Sequence, residues 1–264
     1  MHARTLVLSA SLSLLVATPG GDAAGTGPRR VEAAGAAQDT SGAVLVSAAA
    51  SLTDAFGELG KAFEAAHPKA RVVLNLGASS TLRTQILEGA PVDVFASADT
   101  TNMVPVVAAG DVAGQPRVFA RNLLQIAVPR GNPGKVRGLA DFSREKLLIG
   151  LCAKQVPCGV YERQALARAG VVPSVDTEEP DVRALLTKVE AGELDAGITY
   201  VTDVASSHGR VQGIDIPVGR NVVAAYPIAV LARAPHPQAA SAFVAFVLSR
   251  AGQAILRRYG FSTP

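Results

Sequence analysis

The sequence predicts an α/β protein of two lobes, each a mostly parallel sheet flanked by helices, with two strands crossing between the lobes. Three observations carry this expectation. Short β-branched apolar runs alternate with segments of helical periodicity along most of the chain. Two apolar runs, near 123–130 and 222–232, are longer than the rest and divide the alternating units into groups. A chain of 264 residues with 48% hydrophobic side chains is also long and apolar enough to fill two cores.

From the amino terminus, a short basic start (His2, Arg4) leads into an apolar run over 6–17 and then Thr18-Pro19-Gly20-Gly21. This is the pattern of a secretory signal peptide, expected over 1–24. The run is too short to span a bilayer, which takes about 20 residues. Residues 25–42, rich in Gly and Ala without a usable period, are expected to form a flexible leader. Ordered structure is expected from Ala43 onward.

The first strand is expected over 43–47. The helix after it sets Leu52, Ala55, Phe56, Leu59, Ala62 and Phe63 on one face. Ser51 stands where its N-cap would be, with Asp54 three residues on. The unit then repeats: strand 71–76, a turn at 77–80 and a helix, then strand 92–97 and a helix over 99–109. After the long strand at 123–130 come a short helix near 139–142, strand 146–151, helix 159–169, helix 180–191 and strand 196–201. The second long strand covers 222–232, and the tail makes two helices. This order places one lobe at 43–124 plus 225–264 and the other at 125–224. Ligands of such sheets bind at the carboxyl ends of strands, where helix N-termini converge.

Composition narrows the function. Twenty-five basic residues nearly balance 22 acidic ones, tryptophan is absent, and aromatics make up 5%, so no nucleic-acid partner is expected. Nucleotide-binding, serine-hydrolase and zinc-protease motifs are missing, and no enzyme activity or cofactor is expected. Four histidines (His2, His67, His208, His236) show no ligand spacing, which argues against a directly coordinated metal. Cys152 and Cys158 read first as a disulfide in an exported chain; two free thiols or half a metal site are the alternatives.

What remains are neutral donors at helix starts. Ser51, Ser79 and Ser80 open helices in the first half; Cys158-Gly159 and Pro180-Asp181-Val182 open helices in the second. Proline at a first helical position would leave the following N–H groups, including that of Val182, without intrahelical partners. The serines read equally as ordinary caps. Openings split between two lobes point instead to an anion held between them.

Several segments together resemble a known family: VSAAASLTDAF (46–56), GASSTLRTQILEGAPVDVFASAD (77–99), VPCGVYERQAL (156–166), EEPDVRALLTKVEAGELDAGITYVTDV (178–204), YPIAVL (226–231) and GQAILRRYGF (252–261). They are similar to the periplasmic molybdate-binding proteins of ABC importers. The resemblance implies a two-lobed periplasmic binding fold and a monomer outside the cytoplasm. Its cargo would be molybdate or tungstate, and its partners the permease and ATPase subunits of an importer. It also implies oxyanion donors at Ser51 and Ser79 (hydroxyls), Cys158 and Val182 (backbone N–H) and Tyr200 (hydroxyl). These would contact the metal only through its oxygens. Relatives often have alanine at the position of Cys158, so a bridge to Cys152 would set this corner's shape.

Two other readings stand beside it. A binding protein for another ligand would take sulfate, or ferric iron, although iron favours clustered tyrosines and Tyr161, Tyr200, Tyr226 and Tyr259 are at least 26 residues apart. A secreted enzyme or a sensor module on the same scaffold is the other; a sensor would be expected to carry an attached DNA-binding or membrane segment.

Overall fold

The computed structural model describes residues 41–264. The expected signal peptide and nearly all of the expected leader lie outside the described residues. Strand β1 (Gly42–Ala49) begins within a residue of the expected start. It pairs in parallel with β2 (Ala70–Gly77) on one side and β3 (Val94–Ala96) on the other. Its last four residues are all buried, which is why a central strand reads as a continuous apolar run. Helix α1 (Thr53–Ala66) follows a 3₁₀ turn at Ala50–Leu52 and buries Phe56, Leu59 and Phe63. Helices α2 (Ser79–Leu87) and α3 (Thr100–Ala108) complete the two following units. Asp99 caps α3 by accepting from the Asn102 N–H at 2.8 Å.

The second group has the same logic. Strands β5 (Ile149–Cys152), β6 (Thr177–Glu179) and β7 (Ala196–Tyr200) pair in parallel, with helices α4 (Pro157–Arg168) and α5 (Val182–Glu190) between them. Three elements here have no counterpart in the sequence expectation: the three-residue strand β6, helix α6 (Val201–Ser206), which follows β7 without an intervening turn, and the short strand β8 (Val211–Asp215).

The long strands join the groups. Strand β4 (Arg117–Pro129) starts six residues before the expected 123, and β9 (Val223–Val230) runs antiparallel to its first half. A bulge between Val118 and Ala120 puts Phe119 and Ala120 both in the core, so the alternation that would have announced the strand is broken. The second half of β4 pairs antiparallel with β7 and β8, and β9 pairs antiparallel with β3. The sheet order is β2-β1-β3-β9-β4-β7-β5-β6, with β8 on β4. The pairing is thus parallel within each group and antiparallel wherever β4 or β9 takes part. Helices α7 (Pro237–Leu248) and α8 (Arg250–Arg258) return to α1, where Phe63 meets Phe243 edge-on at 5.3 Å and Phe246 at 5.8 Å.

Candidate functional site

One cleft gathers Ser51, Ser79, Cys158, Val182 and Tyr200, the five donors that the resemblance implies; Ser80, which also opens a helix, is not in its lining. Its volume of about 20 Å³ is far below the roughly 300–1,000 Å³ of clefts for drug-sized ligands, so its occupant is a small one. Among the described residues no lysine or arginine lines it, and the one charged lining residue is Asp181. Ser51, Ser79, Cys158 and Val182 lie in the first turns of helices, and Tyr200 ends a strand.

Each donor has a local cause. Ser51 is not an N-cap: its Oγ lies 2.9 Å from the Tyr226 hydroxyl, and no side chain caps α1. Ser79 is the first residue of α2 rather than its cap, which is Ala78, and its Oγ accepts from the Ala98 N–H at 3.0 Å. Because a backbone N–H only donates, the Ser79 proton is left for another acceptor. The capping alternative for both serines therefore falls.

In the second group, Pro157 opens α4, and the Val160 N–H makes the first helical bond to the Val156 carbonyl at 3.0 Å. The N–H groups of Cys158 and Gly159 precede that bond and have no intrahelical acceptor. The turn leading into α4 is closed by the Cys152–Cys158 disulfide, Cα to Cα 5.8 Å. Two side chains from α4 pin the same turn: Glu162 Oε2 accepts the Cys152 N–H at 2.8 Å, and Arg163 donates to the Cys152 carbonyl at 2.8 Å. Burial pushes the Glu162 carboxyl up to about 8, so it is largely protonated at neutral pH.

The expectation of proline at the first position of α5 is corrected. Asp181 is the N-cap and Val182 the first helical residue, because the Asp181 carboxylate accepts from Arg183 N at 2.8 Å and Ala184 N at 3.0 Å. Those two bonds neutralise part of the Asp181 charge and leave the Val182 N–H as the first-turn donor without a cap.

Tyr200 ends β7. Its hydroxyl is fully buried and has no hydrogen-bond partner among the described residues. Burial, together with the neighbouring Tyr226, holds its ionisation well above the usual phenol range, so it remains an O–H donor. A buried donor without a partner costs about 1–3 kcal/mol, and Tyr200 is one of the residues that line the cleft. Its N–H is held by Asp203 Oδ2 at 3.0 Å, and burial raises the Asp203 carboxyl to about 7.

Sequence reasoning did not find Tyr226, Asn122 and Thr202, which stand behind Ser51. Asn122 Nδ2 lies 2.8 Å from Thr202 Oγ1 and 3.5 Å from the Tyr226 oxygen. No local signal marks them, since Asn122 and Tyr226 are 104 residues apart and meet only across the β4–β9 pair. Arg183 adds an ion pair with Asp54 of α1 at 3.1 Å.

Comparison with known proteins agrees with this picture. Residues 44–262 match the family model described as bacterial extracellular solute-binding protein. The molybdate-binding protein ModA of Mycobacterium tuberculosis is 42% identical over 221 residues, which cover 84% of this chain and 85% of the relative. Among solved structures, the periplasmic molybdate-binding protein of Azotobacter vinelandii aligns with TM-score 0.75 at 20% identity, covering 84% of this chain and 99% of that one. The sulfate-binding protein SubI of M. tuberculosis aligns with TM-score 0.76 at 19% identity, covering 84% and 86%. At these identities the two structures speak for the fold alone, the two-lobed binding-protein fold expected from the sequence.

Proposed function

The chain belongs to the bacterial extracellular solute-binding protein family, and from that premise we propose that it captures molybdate or tungstate in the cleft and delivers it to an ABC importer. The observation that carries this is the donor set. Tyr200 brings a buried hydroxyl without a protein partner, Ser51 and Ser79 bring hydroxyls, and Cys158 and Val182 bring N–H groups, with no cation beside them.

A tetrahedral oxyanion that carries no proton at neutral pH can accept from every one of these groups. Neutral dipoles and helix N-termini spread its charge over several elements, and charge-assisted bonds are short and strong in a site shielded from water. Phosphate near neutral pH keeps a proton that needs an acceptor, and the carboxylate in the lining, that of Asp181, already accepts from the Arg183 and Ala184 N–H groups. Sulfate is also protonless and is the second reading; it is smaller, so the size of the cleft must reject it. The 42% identical relative is named for molybdate.

In this reading residues 43–124 with 225–264 form one lobe and 125–224 the other. Strands β4 and β9 form the connection about which the lobes close. Ser51 and Ser79 bind from the first lobe, and Cys158, Val182 and Tyr200 from the second. The protein acts outside the cytoplasm as a monomer, carries its ligand as cargo without a cofactor, and performs no chemistry on it. Its partners are the permease and ATPase subunits of the importer.

A thermal-shift series with molybdate, tungstate, sulfate, phosphate and ferric citrate tests the assignment. Ligand at a hundred times Kd stabilises the folded state by about 2.7 kcal/mol, so molybdate and tungstate should raise the melting temperature by several degrees. A melting temperature indifferent to both at millimolar concentration rejects the reading, and a response to sulfate alone replaces it with the second.

A further inference from the structure

We infer that Asn122, which does not touch the cleft, sets the direction of a hydrogen-bond relay through Tyr226 that leaves the Ser51 hydrogen free for the cleft and so favours oxyanions that carry no proton. The inference rests on the oxyanion reading above. It starts from one unambiguous contact: the Leu123 backbone N–H donates to Asn122 Oδ1 at 3.0 Å. That bond fixes which way the amide faces, because the reversed amide would set two donors against each other.

The Asn122 Nδ2 group, which only donates, therefore points at Thr202 Oγ1 at 2.8 Å and at the Tyr226 oxygen at 3.5 Å. Asn122, Thr202 and Tyr226 are all buried, so water does not intervene to reset the pattern. Having accepted from Asn122, the Tyr226 oxygen directs its own proton to Ser51 Oγ, 2.9 Å away. Burial holds the Tyr226 phenol far above its usual range, so that proton is always present. With one of its two lone pairs engaged, Ser51 keeps its own hydrogen free for the cleft.

The geometry supports a relay with a fixed direction. Asn122 on β4 and Tyr226 on β9 lie on one face of the antiparallel pair as diagonal neighbours, since Asn122 is opposite Ala224 and Tyr226 opposite Ala120. Thr202 follows Tyr200 at the start of α6. The relay thus runs through the two strands that join the groups. Ser79 is forced into the same role by the Ala98 N–H. Both serines then have a hydrogen free for the ligand and one lone pair already occupied, which favours an anion without a proton over one that must donate.

The test is calorimetric titration at pH 8 of the wild type, Asn122→Asp and Tyr226→Phe with molybdate, and with inorganic phosphate read by competition against molybdate. The two ions are dianions at this pH and differ by one proton, so the charge added by Asn122→Asp cancels in the ratio of their affinities. An aspartate at 122 accepts from Tyr226, reverses the relay and turns a Ser51 lone pair toward the cleft. The preference for molybdate over phosphate should fall at least tenfold. Tyr226→Phe frees Ser51 to rotate and should lower the preference about three- to tenfold; it keeps the test decisive if Asn122→Asp does not fold. A wild type that prefers molybdate, with the ratio unchanged in the folded variants, overturns the relay. A wild type that binds neither ion overturns the molybdate reading and the relay with it.

Discussion

At the scale of single residues, the proposed reading separates groups that bind the anion from groups that hold them. Tyr200 and Ser79 belong to the first kind. Losing one donor to a buried anion costs about 1.5–3 kcal/mol, or roughly ten- to a hundredfold in affinity, so Tyr200→Phe and Ser79→Ala should each weaken molybdate binding in a calorimetric titration by that much. Because the Tyr200 hydroxyl has no protein partner, Tyr200→Phe should leave stability without ligand unchanged or slightly raised. Val182→Ala should barely alter affinity, since its donor is the backbone. Glu162 belongs to the second kind and makes a prediction about pH. Its carboxyl titrates near the ordinary 4.5 when unfolded and at about 8 when folded, so the folded state holds the extra proton between those values. Stability is then greatest below about pH 4.5 with respect to this group and declines as pH rises to 8, by a few kcal/mol in all. Asp203, raised from 3.8 to about 7, adds a slope of the same sign. Urea unfolding of Glu162→Gln between pH 5 and 8 should show a flatter dependence than the wild type, with a residual slope left by Asp203.

At the scale of elements, the placement of α4 depends on an absent side chain. A Cβ on Gly159 would sit 2.0 Å from the Ala153 carbonyl oxygen and 2.7 Å from that of Cys152. Both are backbone atoms of the turn that leads into the helix, so neither can move aside cheaply. Alanine gains about 1 kcal/mol over glycine in helix propensity, but overpacking of this kind costs about 3 kcal/mol and wins. Gly159→Ala should therefore destabilise the protein by about 2 kcal/mol in urea unfolding. It should also reduce anion affinity at least tenfold, because the first turn of α4 carries the Cys158 N–H. Gly57, inside α1 with nothing within 4 Å of its would-be Cβ, is the control: Gly57→Ala should stabilise by up to about 1 kcal/mol and leave affinity unchanged.

At the scale of the whole molecule, the disulfide and the ion pair between α5 and α1 differ in kind. The Cys152–Cys158 ring is short, with a sequence separation of 6, so the loop-closure estimate is about 2 kcal/mol. Replacing both cysteines by serine should lower stability by that much or less. Affinity should fall only a few-fold, because Glu162 and Arg163 continue to hold the Cys152 peptide. Titration of the double serine variant beside the wild type checks both parts, and a loss of binding beyond tenfold would make the bridge the principal organiser of this corner. The Arg183–Asp54 pair joins partly exposed side chains, and such pairs contribute less than about 1 kcal/mol at physiological salt.

Much of this was legible in the sequence because it is written in local patterns. The alternation of strand and helix, the two long strands and the donor-bearing helix starts each depend on residues within a few positions of one another. Where patterns were short or broken, legibility ended: the expected β4 was shortened by its bulge, α6 follows β7 with no turn residue between them, β6 is only three residues long, and β8 is five residues with Gly213 in its middle. The roles of Ser51 and Ser79 were ambiguous for a deeper reason. A serine at a helix start looks the same whether it caps the helix or serves a ligand, and only its distant partner decides, Tyr226 for one and the Ala98 N–H for the other. The Asn122–Tyr226–Ser51 relay lay wholly beyond sequence reading, because hydrogen-bond direction is set by which buried groups the tertiary fold brings within about 3 Å of each other. The sequence by itself determined the fold class and, on the proposed reading, the kinds of donor brought to the cleft; the packing of β4 against β9 decides which way the inferred relay points their protons.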